Sequence, residues 1–166
     1  MGILVLVIVA LPVLIMVWAR SAPRPDHLGV ANGHLAPCPS SPNCVTSGAA
    51  ADSSHRMEPW QYEGPAAVAR ERLLAIIRAT RGTRVIETDG SYIAAEFRTP
   101  VFGFVDDVEF LIDGDRRQIH FRSASRLGYS DLGVNRRRME RLGDRFRLEQ
   151  GGQSSTVGPG AARSRP

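Results

Sequence analysis

The chain of 166 residues is predicted to be an α+β protein: a four-stranded antiparallel meander with two helices packed on one face, preceded by a transmembrane or signal helix. Three observations predict it. Four stretches of period-two alternation follow one another across short turns, two helical patterns bracket them, and residues 1–19 carry no charged side chain. With a helix at each end of a meander, the economical packing puts both helices on one face of the sheet and leaves the other for solvent or ligand.

Residues 1–19, MGILVLVIVALPVLIMVWA, would extend roughly 28 Å as a helix at about 1.5 Å per residue, near the hydrocarbon thickness of a bilayer. Pro12 is tolerated in such a helix, and Trp18 stands where an interfacial aromatic belongs. A cleavable signal peptide would want a basic start, which is missing, although Val17-Trp18-Ala19 is a passable cleavage site. An uncleaved anchor is the preferred reading. Residues 20–36 form a linker, 37–150 a single domain, and 151–166 a disordered tail of Gly, Ser, Pro and Arg.

From Ser21 to Gly64 the composition is rich in Pro, Gly, Ser and Ala and lacks periodicity, as in a docked arm that Trp60 and Tyr62 pin to the domain surface. Cys38 and Cys44 sit six residues apart within it. His34 and His55 do not complete an obvious zinc set and the spacing is not the C-x-x-C of a redox pair, so a disulfide is the better reading. A disulfide implies an oxidising compartment, whereas Arg20 and Arg24 after the span favour a cytoplasmic domain. The cysteine pair is given more weight, which places the domain on the extracytoplasmic side.

Pro65 opens a helix with Ala69, Leu73, Ile76, Ile77 and Thr80 on one face, and Gly82 is placed to end it. Strands follow around Arg84–Thr88 and Tyr92–Arg98, turned by Asp89-Gly90-Ser91, with one covered and one open face. In the next strand Phe104, Val108, Phe110 and Ile112 recur every second residue, Asp106 breaking the oily face, and Val105, Asp107, Glu109 and Leu111 lie between them. After Asp113-Gly114-Asp115-Arg116, Ile119 and Phe121 alternate with Gln118, His120 and Arg122. A Gly114-Asp115 turn sets Glu109 opposite His120, Asp107 opposite Arg122 and Asp106 opposite Ser123; an Asp113-Gly114 turn shifts each pair by two and keeps the faces. The last helix begins near Ser130 or Asp131, with Leu132, Asn135, Met139, Leu142 and Phe146 in one stripe.

The formal charge is +4 and all 21 basic residues are arginine. Arginine without lysine points to codon bias, and the few aromatics are not interleaved with bases, so nucleic acid is disfavoured as a partner. Acids crowd residues 106–115, and arginines dominate from Arg116 onward. One reading is a self-neutralising charged face with Asp106, Asp107, Glu109 and His120 as charge partners. The sharper one takes Arg122, Ser123, Ser125, Arg126, Asn135 and Arg136, at a strand-loop-helix junction, as the site of a phosphate or carboxylate. An enzyme would use Asp107, Glu109 and His120 as acid–base groups or hard-metal ligands. No nucleophile elbow, phosphate loop, zinc motif or cofactor fingerprint supports catalysis, and neighbours such as Asp106 and Asp107 point to opposite faces. The partners expected are the membrane, through the N-terminal helix, and either an anionic small molecule or an envelope protein.

PCPSSPNCVTS at 37–47, DDVEF at 106–110 and RSASRLGYSDLGVNRRRME at 122–140 together resemble domain-of-unknown-function family 1499 of bacteria and plants. The resemblance runs from Pro37 to Leu148. It implies a small domain standing behind a membrane or export segment, with no activity attached to it.

Overall fold

The structure, a computed structural model, describes residues 2–49, 51–100 and 102–154, with the side chains of 2–9, 12, 15 and 152–154 outside the description. In chain order it places α1 (Gly2–Ser21), β1 (Val30–Ala31), β2 (His34–Leu35), β3 (Cys44–Thr46), β4 (Trp60–Gln61), α2 (Ala66–Ala79), β5 (Thr83–Asp89), β6 (Tyr92–Arg98), β7 (Val105–Asp113), β8 (Gln118–Ser125) and α3 (Val134–Ser154). The expected anchor falls on α1, half of whose side chains lie outside the described residues. Among the described residues no helix is long and apolar enough to cross a membrane.

The expected meander is present as β5-β6-β7-β8, every pair antiparallel, but it is part of a six-stranded sheet. β3 and β4 lie end to end along the outer edge of β8, pairing Cys44–Thr46 with residues 122–124 and Trp60–Gln61 with 118–119. They cover the backbone groups that an edge strand would otherwise leave unpaired. Two or three residues are too few to show a period of two, which is why this segment reads as irregular in sequence. β1 and β2 form a separate hairpin around Asn32 and Gly33, both at positive φ, as an Asn-Gly turn requires.

The β7–β8 register differs from both expected turns. Glu109 pairs with Arg122, Phe110 with Phe121, Asp107 with Ala124 and Asp106 with Ser125, leaving a four-residue loop from Gly114 to Arg117. Gly114 is not at positive φ; Arg117 is, at 54°, and the Asp113 carboxylate accepts from the N–H groups of Asp115 and Arg116. That Asp-anchored loop replaces the Gly-first turn. The shift is by two, so every side chain keeps its face.

Both helices pack on one face. Ala69, Leu73, Ile76 and Ile77 of α2 and Met139, Leu142 and Phe146 of α3 share one cluster with Ile93, Val108, Phe110, Ile119 and Phe121. Pro65 is the N-cap of α2, one residue before the helix proper. α3 starts at Val134, capped by Asp131, and runs to Ser154, so the expected tail is helical over its first four residues; the remainder lies outside the described residues. Leu132, expected in the α3 stripe, precedes the helix and is 83% exposed.

Trp60, expected as a surface pin, is a core residue, with ring centroids 5.7, 5.0 and 6.1 Å from Phe110, Phe121 and Phe146. Gly143 of α3 makes room for it: a Cβ there would stand 2.8 Å from the indole Nε1. A ring held by three others cannot retreat cheaply, so Gly143→Ala should destabilise by overpacking, about 1–3 kcal/mol, against a gain of about 1 kcal/mol in helix propensity. Gly151→Ala, with open space at its Cβ position, should keep the gain alone. Urea unfolding of the two variants checks the contrast in sign.

Candidate functional site

The second face of the sheet, expected to be open, is covered. The N-terminal arm crosses it and meets carboxylates and guanidiniums carried by the alternate residues of β6, β7 and β8. Arg126, just beyond β8, donates Nε to Asp107 Oδ2 at 2.8 Å and Nη2 to Asp107 Oδ1 and Glu96 Oε1, each at 2.7 Å. Its Nη1 donates to the carbonyl of Ala22 in the arm at 3.2 Å. Glu96 also accepts from Arg84 and Arg98 at the sheet edge. Burial pushes the Glu96 carboxyl up, but Arg126 and these two arginines outweigh it and hold it below 4.5. The same hydrogen bonds, Asp107 first, drive the Arg126 guanidinium further towards its charged form.

Deeper on this face, Glu109 is fully buried and accepts from Arg122 Nη1 at 3.3 Å, the Tyr92 hydroxyl at 2.8 Å and the Gly29 N–H of the arm at 2.7 Å. Burial, together with that carboxylate, pushes the Tyr92 hydroxyl well above 10, fixing it as a donor. Arg122 spends its remaining reach on the Pro37 carbonyl at 3.3 Å and the His27 ring at 3.4 Å. Both central guanidiniums of the expected anion site are thus engaged by carboxylates of the sheet and by the arm.

The other expected ligand residues face the helices. Ser123 donates to Asn135 Oδ1 at 2.6 Å, while Asn135 Nδ2 donates to Ser125 Oγ and to the Asn43 carbonyl, each at 3.0 Å. Arg138 donates to Asp106 and to Asn135 and lies over the Phe97 ring, 5.0 Å from its centroid. Arg136 donates to the carbonyls of Ser54 and Arg56. The six residues therefore fall on two sides of the sheet and do not surround one point. Arg122, Ser125 and Arg126 alone share a cleft, of about 490 Å³, with His27, Asn43 and Cys38.

Asp107, Glu109 and His120 lie on one face, as the acid–base reading needs, but the two acids are held by Arg126 and Arg122 and His120 looks elsewhere. Among the described residues no group of three or more His, Cys, Asp or Glu could hold a metal ion. His120 lines a larger cleft, of about 730 Å³, between the β1–β2 hairpin and the β7–β8 end of the sheet, with His34, Ser47, Arg56, Glu58 and Asp113. Its Nδ1 is 3.4 Å from the Ser47 hydroxyl, which accepts the Phe121 N–H at 2.8 Å. Ser47 escaped the sequence reading because only the β3–β8 pairing brings it to His120. The Asn32-Gly33 turn was a legible signal for the hairpin on the opposite wall.

The Cys38–Cys44 disulfide is formed and joins the arm to β3. Beside it, His55 is buried with its ring nitrogens facing the Asp52 carboxylate and the Ser41 carbonyl. Hydrogen bonds from Ser54 and then His55 hold Asp52 down to about 2.

Removing Arg126 would leave Asp107 buried and unpaired and Glu96 with only Arg84 and Arg98 at the sheet edge, so Arg126→Ala should cost about 3–5 kcal/mol in urea unfolding, whereas the half-buried Arg136→Ala should stay within about 1 kcal/mol. Burial holds the His120 imidazole below its ordinary 6.5, so the unfolded chain binds that proton first. The stability it contributes is present above 6.5 and is lost as the pH falls, so melting temperature should drop between about pH 7 and pH 5, and less so in His120→Gln. The lowered carboxyls, Asp52, Glu96 and Asp113, respond only further down, from 4.5 and below.

No curated protein and no solved structure matches the chain. A family model described as a protein of unknown function, DUF1499, matches residues 34–146, well over half of the sequence. That span takes in the disulfide, β3 to β8 and most of α3, and by it the chain belongs to the DUF1499 family.

Proposed function

We propose that this chain is a bilayer-tethered extracytoplasmic scaffold, a module that holds an envelope protein partner at a set position from the membrane. The observation that carries this reading is the arm clamp: Arg126 binds the Ala22 carbonyl with the same guanidinium that holds Asp107 and Glu96, and Gly29 caps buried Glu109. Two of the arginines that sequence alone assigns to a ligand, Arg122 and Arg126, instead fasten the anchor-proximal segment to the sheet. The uncharged run of residues 1–19 supports the tether, and the disulfide supports the oxidising side.

A second reading has its own observation. The cleft of about 730 Å³ that presents His120, Ser47 and Arg56 suits a small polar ligand. An anion at Arg122 and Arg126 is a weaker version of it, since the ligand would have to displace carboxylates already in place.

In membranes from cells expressing the full chain, the protein should stay in the pellet through alkaline carbonate, and Cys38 and Cys44 should resist alkylation until reductant is added. Release by carbonate, or labelling without reductant, would overturn the tethered or the extracytoplasmic half respectively. A thermal shift produced by millimolar phosphate or acetate, beyond that of chloride at equal ionic strength, would favour the ligand reading over the scaffold.

A further inference from the structure

The end of the domain from which α1 emerges carries a surface that the fold does not use. β6 ends at Arg98, β7 starts at Val105 and β8 ends at Ser125, so residues 99–100 and 102–104 and the loop 126–133 lie at the same end of the sheet. α1 arrives there too. Ala19 is fully buried and Ala22 nearly so, and Arg20 packs on Gly103 so closely that a Cβ at Gly103 would stand 2.7 Å from Arg20 Nε. The helix therefore enters the domain without a free linker.

Around this entry stand exposed apolar and basic side chains, with Ser21, Asp26 and Ser130 as exposed polar neighbours. Phe102 is 41% exposed, Tyr129 76% and Leu132 83%. Leu132 is held at φ 52°, a conformation that L side chains rarely adopt, by Ser130 Oγ accepting its N–H and by the Asp131 cap beside it. Exposed Arg20, Arg81 and Arg137 stand near: Arg81 precedes Gly82, whose Cβ position touches the Arg98 carbonyl, and Arg137 lies against Gly133. The one acid in the loop, Asp131, is turned to the N–H groups of Gly133 and Asn135. Trp18, 58% exposed, is one helical turn from this end, about 5 Å along the axis.

We propose that this end is a docking face for a bilayer surface bearing anionic headgroups: Phe102, Tyr129 and Leu132 enter the interfacial layer at the level of Trp18, and Arg20, Arg81 and Arg137 meet phosphates. The proposal rests on the tethered reading above and says which face of the domain meets the lipid. Its basis is continuity with the helix entry and the match of the exposed Arg20, Arg81 and Arg137 to anionic lipid, exposed Asp26 lying on the arm beside them. A domain so docked has a fixed height and tilt, and presents the far end, at Gly114, to the partner.

The test uses the full chain in nanodiscs of phosphatidylcholine with and without phosphatidylglycerol, carrying a nitroxide on Leu132→Cys or, at the opposite end, on Gly114→Cys; Cys38 and Cys44 are joined and take no label. The label at 132 should collide with oxygen and be shielded from a water-soluble nickel chelate, while that at 114 shows the reverse. Arg81→Gln and Arg137→Gln should each lower the docked population about fivefold in the anionic discs. A chain that fails to enter the discs refutes the tether itself. A chain resident in them whose label at 132 is as open to nickel as that at 114, or is shielded from both probes as in a protein contact, overturns the docking face.

Discussion

Everything on the arm side of the sheet depends on one guanidinium. Arg126 makes a two-point contact with Asp107, a third with Glu96 and a fourth with the backbone of the arm, all in a site nearly closed to water. Charges removed from water cost several kcal/mol each unless they are paired and hydrogen-bonded. That cost sets the geometry: strands β6, β7 and β8 must keep their register, and the arm must lie down, or an acid is left without its base. Glu109, with Arg122, Tyr92 and Gly29, repeats the pattern deeper in.

The helix side uses neutral groups for the same purpose. Asn135 lies at the centre, joined to β8 through Ser123 and Ser125 and to the chain before β3 through the Asn43 carbonyl. Because these partners come from two segments far apart in the chain, the start of α3 has one position in which the network closes. The aromatic cluster around Trp60 then fills the space beneath it, and Gly143 sets how near the helix comes. The polar network supplies direction and the rings supply area.

These two layers change what the arginine-rich sequence means. A density of guanidiniums beside serines and a helix start reads as a place for an anion, because in isolation those groups are unfilled donors. In the fold, carboxylates from the neighbouring strands already occupy them. The clefts that remain lie elsewhere or at the margin, and the exposed apolar and basic residues gather where the N-terminal helix enters.

Much of the fold was legible in sequence because it depends on local periodicity: the meander, α2 with its buried face, most of the α3 stripe, and the disulfide from two nearby cysteines in a lysine-free, proline-rich loop. The sequence by itself also set which face each strand residue takes, since a shift of register by two leaves faces unchanged. Only the tertiary structure decided which acid meets which base, because that follows from the Asp113-anchored loop and from Arg126 reaching diagonally past the strand end. It also decided that the second face is covered and that Ser47 meets His120, since β3, β4 and the arm are too short to carry a pattern and gain their places by satisfying backbone groups and charges far away in the chain.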